Sequence, residues 1–277
     1  MTPSDAGGRF AADAAFAREI AERAGRILVE RYERVERVDY KSARDVVTEV
    51  DHLSEALIIA AIRERFPRDG ILAEESGAHH HVDADEIARS LAHGRTWIID
   101  PLDGTVNYAN GIPVFCVSVG LVVDGQPAAG AVHDPLRDET FWATADGPAF
   151  LGSVPISASA KEDLVDCVVA LALGGRAVAT RSRAVRRAIR VSRNMGSSAL
   201  ALAYVANGRF DAFIQSGGMS AWDCAAAGLI AERAGAVVTD TAGGPWFEVG
   251  KATRAFGVVA APPAHHAELL RLSRESG

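Results

Sequence analysis

Cysteine is scarce in this chain. Three thiols, Cys116, Cys167 and Cys224, are spread over 277 residues, each among apolar neighbours. That pattern fits buried free thiols in a reducing compartment and argues against a disulfide framework. Long apolar runs are missing too. No window approaches the ~18–20 apolar residues of a membrane span, and residues 1–9 lack the apolar core of a signal peptide. A cytoplasmic setting with no membrane partner is the expectation. Basic charge is in the minority, with 29 Lys and Arg against 36 Asp and Glu. A net charge of −7 with no evident basic stripe argues against a nucleic-acid partner. The sequence has no G-x-x-x-x-G-K-[ST] loop, no G-x-S-x-G elbow and no D-x-[DN]-x-[DN]-G calcium loop. A Walker-type nucleotide site, a hydrolase with that serine elbow and an EF-hand are thereby set aside.

What is present is enough apolar sequence, 48% of residues, to build a packed core in one large domain or two ordinary ones. Periodicity predicts a helix over 10–31, on the face Phe16, Ile20, Ala24, Ile27 and Leu28. Residues 41–50 read as extended. A second helix is expected over 52–66, with Leu53, Leu57, Ala61 and Ile62 inward and Asp51 as its cap. A short strand, 70–73, ends on Glu74-Glu75. The polar stretch 77–94, with His79-His80-His81 and Asp83, Asp85 and Glu86, reads as a surface loop, because consecutive histidines do not converge on one point. Residues 115–123, 128–132 and 139–145 predict an antiparallel meander. The Gly-, Pro- and Ser-rich stretch 147–160 marks a boundary, giving domains at 1–147 and 148–277. Beyond it, strands are expected at 168–173, 210–214, 236–239 and 257–261. Helices are expected at 180–189, 197–207, 223–234 and 263–274. The class is α/β or α+β.

Chemistry concentrates where acids end elements: Asp51, Glu74, the pair Asp100/Asp103, and Asp223. Each can be read as a helix cap or turn residue. Together they can also be read as a ring of carboxylates around cations, since hard oxygen ligands suit Mg²⁺. A two-metal phosphoryl-transfer site needs such a ring, with one carboxylate bridging and a hydroxyl beside it to position water. Asp100 and Thr105 suit those two tasks. The nearest rival is an aspartyl-phosphate phosphatase with a strand-end Asp-x-Asp-Gly-Thr. Here the acids are three apart, and in a regular strand residues three apart do not share a face.

The run Trp97-Ile98-Ile99-Asp100-Pro101-Leu102-Asp103-Gly104-Thr105-Val106-Asn107-Tyr108 resembles the first signature of the inositol monophosphatase family. The run Trp222-Asp223-Cys224-Ala225-Ala226-Ala227-Gly228 through Ala234-Gly235 resembles its second. Lys41, Asp45-Val46-Val47-Thr48-Glu49-Val50-Asp51 and Ala73-Glu74-Glu75-Ser76 resemble two further blocks in the family's order. The resemblance implies a sugar-phosphatase fold, a five-layer α-β-α-β-α sandwich. It implies a lithium-sensitive phosphomonoesterase that uses two or three Mg²⁺ ions and forms a homodimer. Glu74, Asp100 and the Leu102 carbonyl would hold one ion, and Asp100, Asp103 and Asp223 a second. Glu74 and Thr105 would orient the attacking water, with Asp51 supporting Thr105. Gly104 and Thr105 would receive phosphate. Gly196, Ser197 and Ser198 would face the alcohol, with Ser216 on the same side.

Inositol-selective members carry a Glu shortly before the second signature. Ser216 stands there in this chain, beside Gln215. A Ser cannot supply the charge-assisted hydrogen bond of a carboxylate. That departure weakens the case for inositol preference; the resemblance still makes inositol monophosphate the first expected substrate, with modest selectivity. Histidinol phosphate, fructose 1,6-bisphosphate and 3′-phosphonucleotides are alternatives for the same chemistry. A non-catalytic binding or regulatory protein is the alternative of another class.

Overall fold

The computed structural model describes residues 8–32, 38–42, 45–79, 94–173, 178–248 and 255–274. The first half opens with α1 (Ala11–Arg31), the hairpin β1 (Val38–Ser42) and β2 (Asp45–Thr48), and α2 (Glu49–Arg65). β3 (Gly70–Ala73), α3 (Glu74–His79), β4 (Arg95–Asp103) and α4 (Thr105–Ala109) follow. β5 (Cys116–Val123), β6 (Gln126–Asp134) and β7 (Glu139–Thr144) form the expected meander. The stretch 147–160, read as a domain boundary, supplies two short strands, β8 (Phe150–Leu151) and β9 (Val154–Pro155). The second half holds β10 (Val168–Ala172), α5 (Val178–Ala188), β11 (Val191–Arg193) and α6 (Ser198–Ala206). It closes with β12 (Ala212–Met219), α7 (Ala221–Arg233), β13 (Val237–Asp240), β14 (Phe256–Ala261) and α8 (Pro263–Arg274). His80, His81 and the acids at 83–86 lie outside the described residues.

Strands sort their side chains by parity, and the parity builds the layers. The seven-stranded sheet runs β3-β4-β5-β6-β7-β8-β9, with β3 and β4 parallel and the remaining neighbours antiparallel. Trp97, Ile99, Val117 and Val119 point to one face, where Ala17, Ile20, Ala24 and Leu28 of α1 and Ile58 and Ile62 of α2 cover them. Ile98, Cys116, Val132 and Phe141 point to the other face. There the Ala-rich α6 and α7 meet them, together with Phe213 and Val258 of the second sheet. That second sheet runs β11-β10-β12-β14-β13. Its outer face buries Val169, Leu171, Ile214 and Val259 against Val185 of α5 and Leu269 and Leu272 of α8. The result is the expected five-layer α-β-α-β-α sandwich.

The middle layer is tight because the sheet gives way to it. Gly120 of β5 pairs with Gly130 of β6 under α7. A Cβ at Gly130 would lie 2.7 Å from the Ala226 Cβ. The missing side chains let the α7 backbone approach the sheet and fix its first turn, which carries Asp223. Cys116, Cys167 and Cys224 are all free and buried. Among the described residues no helix is long and apolar enough to cross a membrane. In the outer layer of the sandwich, α5 turns Val185 inward and leaves Arg183, Arg186 and Arg187 exposed. Folding thus gathers a local basic face that net charge does not reveal.

Candidate active site

The site begins with a fault in a strand. Asp100 of β4 pairs with Ser118 and Asp103 pairs with Cys116, so three steps on β4 oppose two on β5. This bulge contains Pro101, which cannot donate to a ladder. An extra residue reverses the parity of the strand, so Asp100 and Asp103, three apart, come to one side. The expectation from a regular strand is overturned here, because the strand is not regular. β3 reaches the same place in parallel. Ala73 pairs with Ile99, so the next residues, Glu74 and Asp100, emerge side by side and share a hydrogen bond.

α2 supports this end of the sheet. Its N-cap is Thr48, not Asp51. The Val50 N–H donates to Thr48 Oγ1 at 3.2 Å, and the Thr48 N–H donates to Asp51 Oδ2 at 2.8 Å. Thr48 Oγ1 also donates to Asp51 Oδ2 at 2.6 Å. Asp51 is therefore the third helical residue of a capping box, fully buried. Its Oδ1 is left for Thr105, whose hydroxyl lies 3.0 Å from it and 3.0 Å from the Leu102 carbonyl. The expected inward face of α2 holds at Leu57, Ala61 and Ile62 and fails at its start. Leu53 is exposed, whereas Asp51, Ser54 and Glu55 are buried. Ser54 Oγ donates to the Pro101 carbonyl at 2.8 Å and so pins the bulge. Glu55 accepts the N–H groups of Glu75 and Ser76 at 2.8 and 2.9 Å. Neither residue was singled out from sequence. Their signal was helical spacing from Asp51, at i+3 and i+4.

Asp103 bridges the two halves. Its Oδ2 accepts from Ser197 Oγ, from the Ala199 N–H at 2.7 Å and from the Leu200 N–H at 3.4 Å. Its Oδ1 accepts from the Ser198 N–H at 3.2 Å. The carboxylate of β4 thus caps α6, whose own N-cap residue, Ser197, makes no side-chain cap bond. The structure buries Ser197 and places its hydroxyl on Asp103. Gly104 follows in the left-handed region at φ 100°, where a Cβ would lie 2.9 Å from the Val114 carbonyl. Only glycine makes this turn cheaply. It starts α4, with Thr105 as the first helical residue.

Asn107 joins the loops around the site. Its Nδ2 donates to the carbonyls of Val114 and Met195, each at 2.7 Å. Gly196, at φ 71°, packs against this amide. Ser198 Oγ donates to Gln215 Oε1 at 3.0 Å, which ties the 196–198 segment to β12 beside Ser216. Asp223 is placed as Asp51 is. It is the third residue of α7, accepting from the Ser220 N–H in a capping box. The carboxylates of Asp100, Asp103 and Asp223 thereby offer oxygens that lie within 4.8 Å of one another.

The electrostatics follow from that crowding. Burial, then the charges of Glu74, Asp103 and Asp223, hold the Asp100 carboxyl well above its ordinary 3.8. Burial also raises Asp103, opposed by the hydrogen bonds from Ser197, Ala199, Ser198 and Leu200. Burial and the neighbouring Asp103 and Asp100 push the Cys116 thiol well up, which favours its neutral form. Clustered, acceptor-only oxygens in a buried setting fit hard divalent cations. Glu74, Asp100, the Leu102 carbonyl, Asp103 and Asp223 are the residues that could hold them.

Comparison with known proteins decides the family. A model of the inositol monophosphatase family matches residues 12–277. The chain belongs to the inositol monophosphatase family. Membership makes it a phosphomonoesterase by class. An inositol monophosphatase of Mesembryanthemum crystallinum is 34% identical, over 81% of this chain and 84% of that protein. A Nus factor SuhB of Haemophilus influenzae is 35% identical, over 92% of each. Among solved structures, the extragenic suppressor protein suhB of Bartonella henselae superposes with a TM-score of 0.84. It is 32% identical and covers 96% of this chain and 100% of its own. The IMPase of Thermotoga maritima superposes at 0.80, with 30% identity over 95% and 96%.

Proposed function

We propose that this family member hydrolyses a small phosphorylated alcohol, inositol monophosphate first, with Mg²⁺ as its resident ion. The observation that carries the reading is the meeting of Asp100 and Asp103 of β4 with Asp223 of α7, their oxygens within 4.8 Å of one another, in a family of phosphomonoesterases. Bound Mg²⁺ would supply Lewis acidity to a water and to the phosphate oxygens. The chain's own residues do the rest. Asp51 Oδ1 accepts a hydrogen bond from the Thr105 hydroxyl, so the Thr105 oxygen turns its lone pairs toward a water. Glu74 is the second acceptor for that water. The start of α4, at Gly104 and Thr105, orients phosphate through backbone N–H groups. Lithium sensitivity, a homodimer and a cytoplasmic location belong to the same reading and rest on the family.

Phosphate release from a panel of phosphomonoesters, with and without Mg²⁺, tests it. Inositol phosphates, histidinol phosphate, fructose 1,6-bisphosphate and a 3′-phosphonucleotide make up the panel. A phosphate ester made chiral at phosphorus should be hydrolysed with inversion, as one in-line attack by water requires. Net retention, from two successive displacements, would place the chemistry in the aspartyl-phosphate class. A second reading is a docking role on the same fold, favoured by relatives named Nus factor SuhB. A folded protein that turns over no member of the panel would support it.

Selectivity should be read by the 196–198 segment and β12. Gly217 and Gly218 have positive φ, and a Cβ at either would meet nothing within 4 Å, so space remains beside Ser216. Installing a carboxylate there, Ser216→Glu, should improve kcat/KM for inositol 1-phosphate by roughly 10- to 100-fold, the worth of one charged hydrogen bond. An unchanged value, with strong inositol preference already in the parent, would show that Ser216 does not face the ring hydroxyl.

A further inference from the structure

The inward face of α2 carries polar residues where a core helix would carry apolar ones. Asp51, Ser54 and Glu55 are all buried there, and each bonds a different part of the site. Two of the three bonds need little comment, since Asp51 reaches Thr105 and Ser54 reaches the bulge directly. Glu55 is different. It touches neither a reacting group nor a candidate ligand side chain. Both of its oxygens are spent on backbone, Oε2 on the Glu75 N–H and Oε1 on the Ser76 N–H. Those are the second and third residues of α3, and the first is Glu74. α3 has six residues, too short to hold its own start by internal bonds.

We propose that Glu55 is a positioning residue for Glu74. Its carboxylate clamps the first turn of α3 and so fixes the direction in which Glu74 meets Asp100. The proposal rests on the reading of Glu74 as a ligand and water-orienting residue. The choice of a carboxylate is explained by the donors. Two adjacent N–H groups need two acceptors on one side chain. A Gln offers one acceptor and one donor, so one backbone N–H would face an N–H. A buried Glu at 5% exposure, with no cation paired to it among the described residues, is costly unless those two bonds hold it.

The test is a double-mutant cycle read by calorimetric Mg²⁺ binding to the full-length protein, with thermal unfolding alongside. Glu55→Gln should weaken Mg²⁺ binding about 10-fold or more, and Glu74→Ala should also weaken it. In the Glu74→Ala background, Glu55→Gln should then have no further effect on Mg²⁺ binding. It should lower kcat while leaving KM for the phosphate ester within about 2-fold. If Glu55→Gln fails to fold, Glu55→Asp keeps the charge but shortens the reach, and it should show the same dependence on Glu74. Equal weakening in both backgrounds, or a lowered melting temperature with unchanged Mg²⁺ binding, would overturn the proposal. If Glu74→Ala alone leaves Mg²⁺ binding intact, the ligand reading of Glu74 fails instead, and the two failures are told apart.

Discussion

Asp103→Asn is expected to abolish turnover and to weaken the fold at the same time. Loss of turnover follows from the site: a negative ligand is removed beside the reacting phosphate, which should cost roughly 10³-fold in kcat. The stability effect is less obvious, since Asn also relieves repulsion between Asp103 and Asp100. Hydrogen bonding decides the sign. Both oxygens of Asp103 accept, from Ser197, Ser198, Ala199 and Leu200, and together they cap α6. An amide keeps one acceptor and turns its NH₂ toward a backbone N–H. Leaving such buried donors unsatisfied costs about 1–3 kcal/mol, or roughly 2–4 °C in Tm per kcal/mol for a chain of this size. Thermal unfolding in chelator and phosphate release at saturating Mg²⁺ measure the two effects. A Tm equal to or above the parent's would mean that repulsion outweighs the cap. Parental turnover would remove Asp103 from the ligand set.

That double duty marks the limit of what the sequence discloses. The mixed α/β class is legible because strand parity and helix period are written in apolar residues, and those agree with the core at Trp97, Ile99, Val119 and Phe213; the order of the five layers comes from the family resemblance. The site residues are legible as acids at element ends. Their roles are less so. Thr48-x-x-Asp51 and Ser220-x-x-Asp223 are the same capping box, and either Asp alone looks like the cap itself. The spacing of Asp100 and Asp103 points away from a shared strand face until the bulge is seen; Pro101 signals broken pairing but not the change of parity that follows. On α2, amphipathicity chooses Leu53 as inward, yet Leu53 is 43% exposed. At the start of the helix the core side is occupied by Asp51, Ser54 and Glu55, because the backbone of β4 and α3 there needs hydrogen-bonding partners, while Ile58 and Ile62 fill it further along. Periodicity counts apolar residues and is blind to a helix turned by its polar ones.

The opposite stability result is expected at Asp100. This carboxyl is buried among Glu74, Asp103 and Asp223, and its pKa lies well above 3.8 for that reason. In the absence of a cation, the folded state therefore holds a proton at pH values where the unfolded chain has released it. Linkage then makes stability fall as pH rises from about 4 toward the raised folded value, by up to ~1.4 kcal/mol per pH unit over that window. Below the ordinary value the contribution is fully present. Asp100→Asn removes this dependence. An Asn oxygen can still accept the Leu102 N–H, which Asp100 Oδ1 now accepts at 3.1 Å, and its NH₂ can donate to Glu74 in place of the shared proton. In chelator at pH 8 the variant should melt above the parent, and the gap should close as pH falls toward 4. Adding Mg²⁺ at about 100 times its Kd should stabilise the parent by ~2.7 kcal/mol and the variant far less. Turnover of the variant should be lost. Equal Mg²⁺ shifts in both proteins, or a gap that does not change with pH, would mean that Asp100 neither carries the strain nor holds the ion.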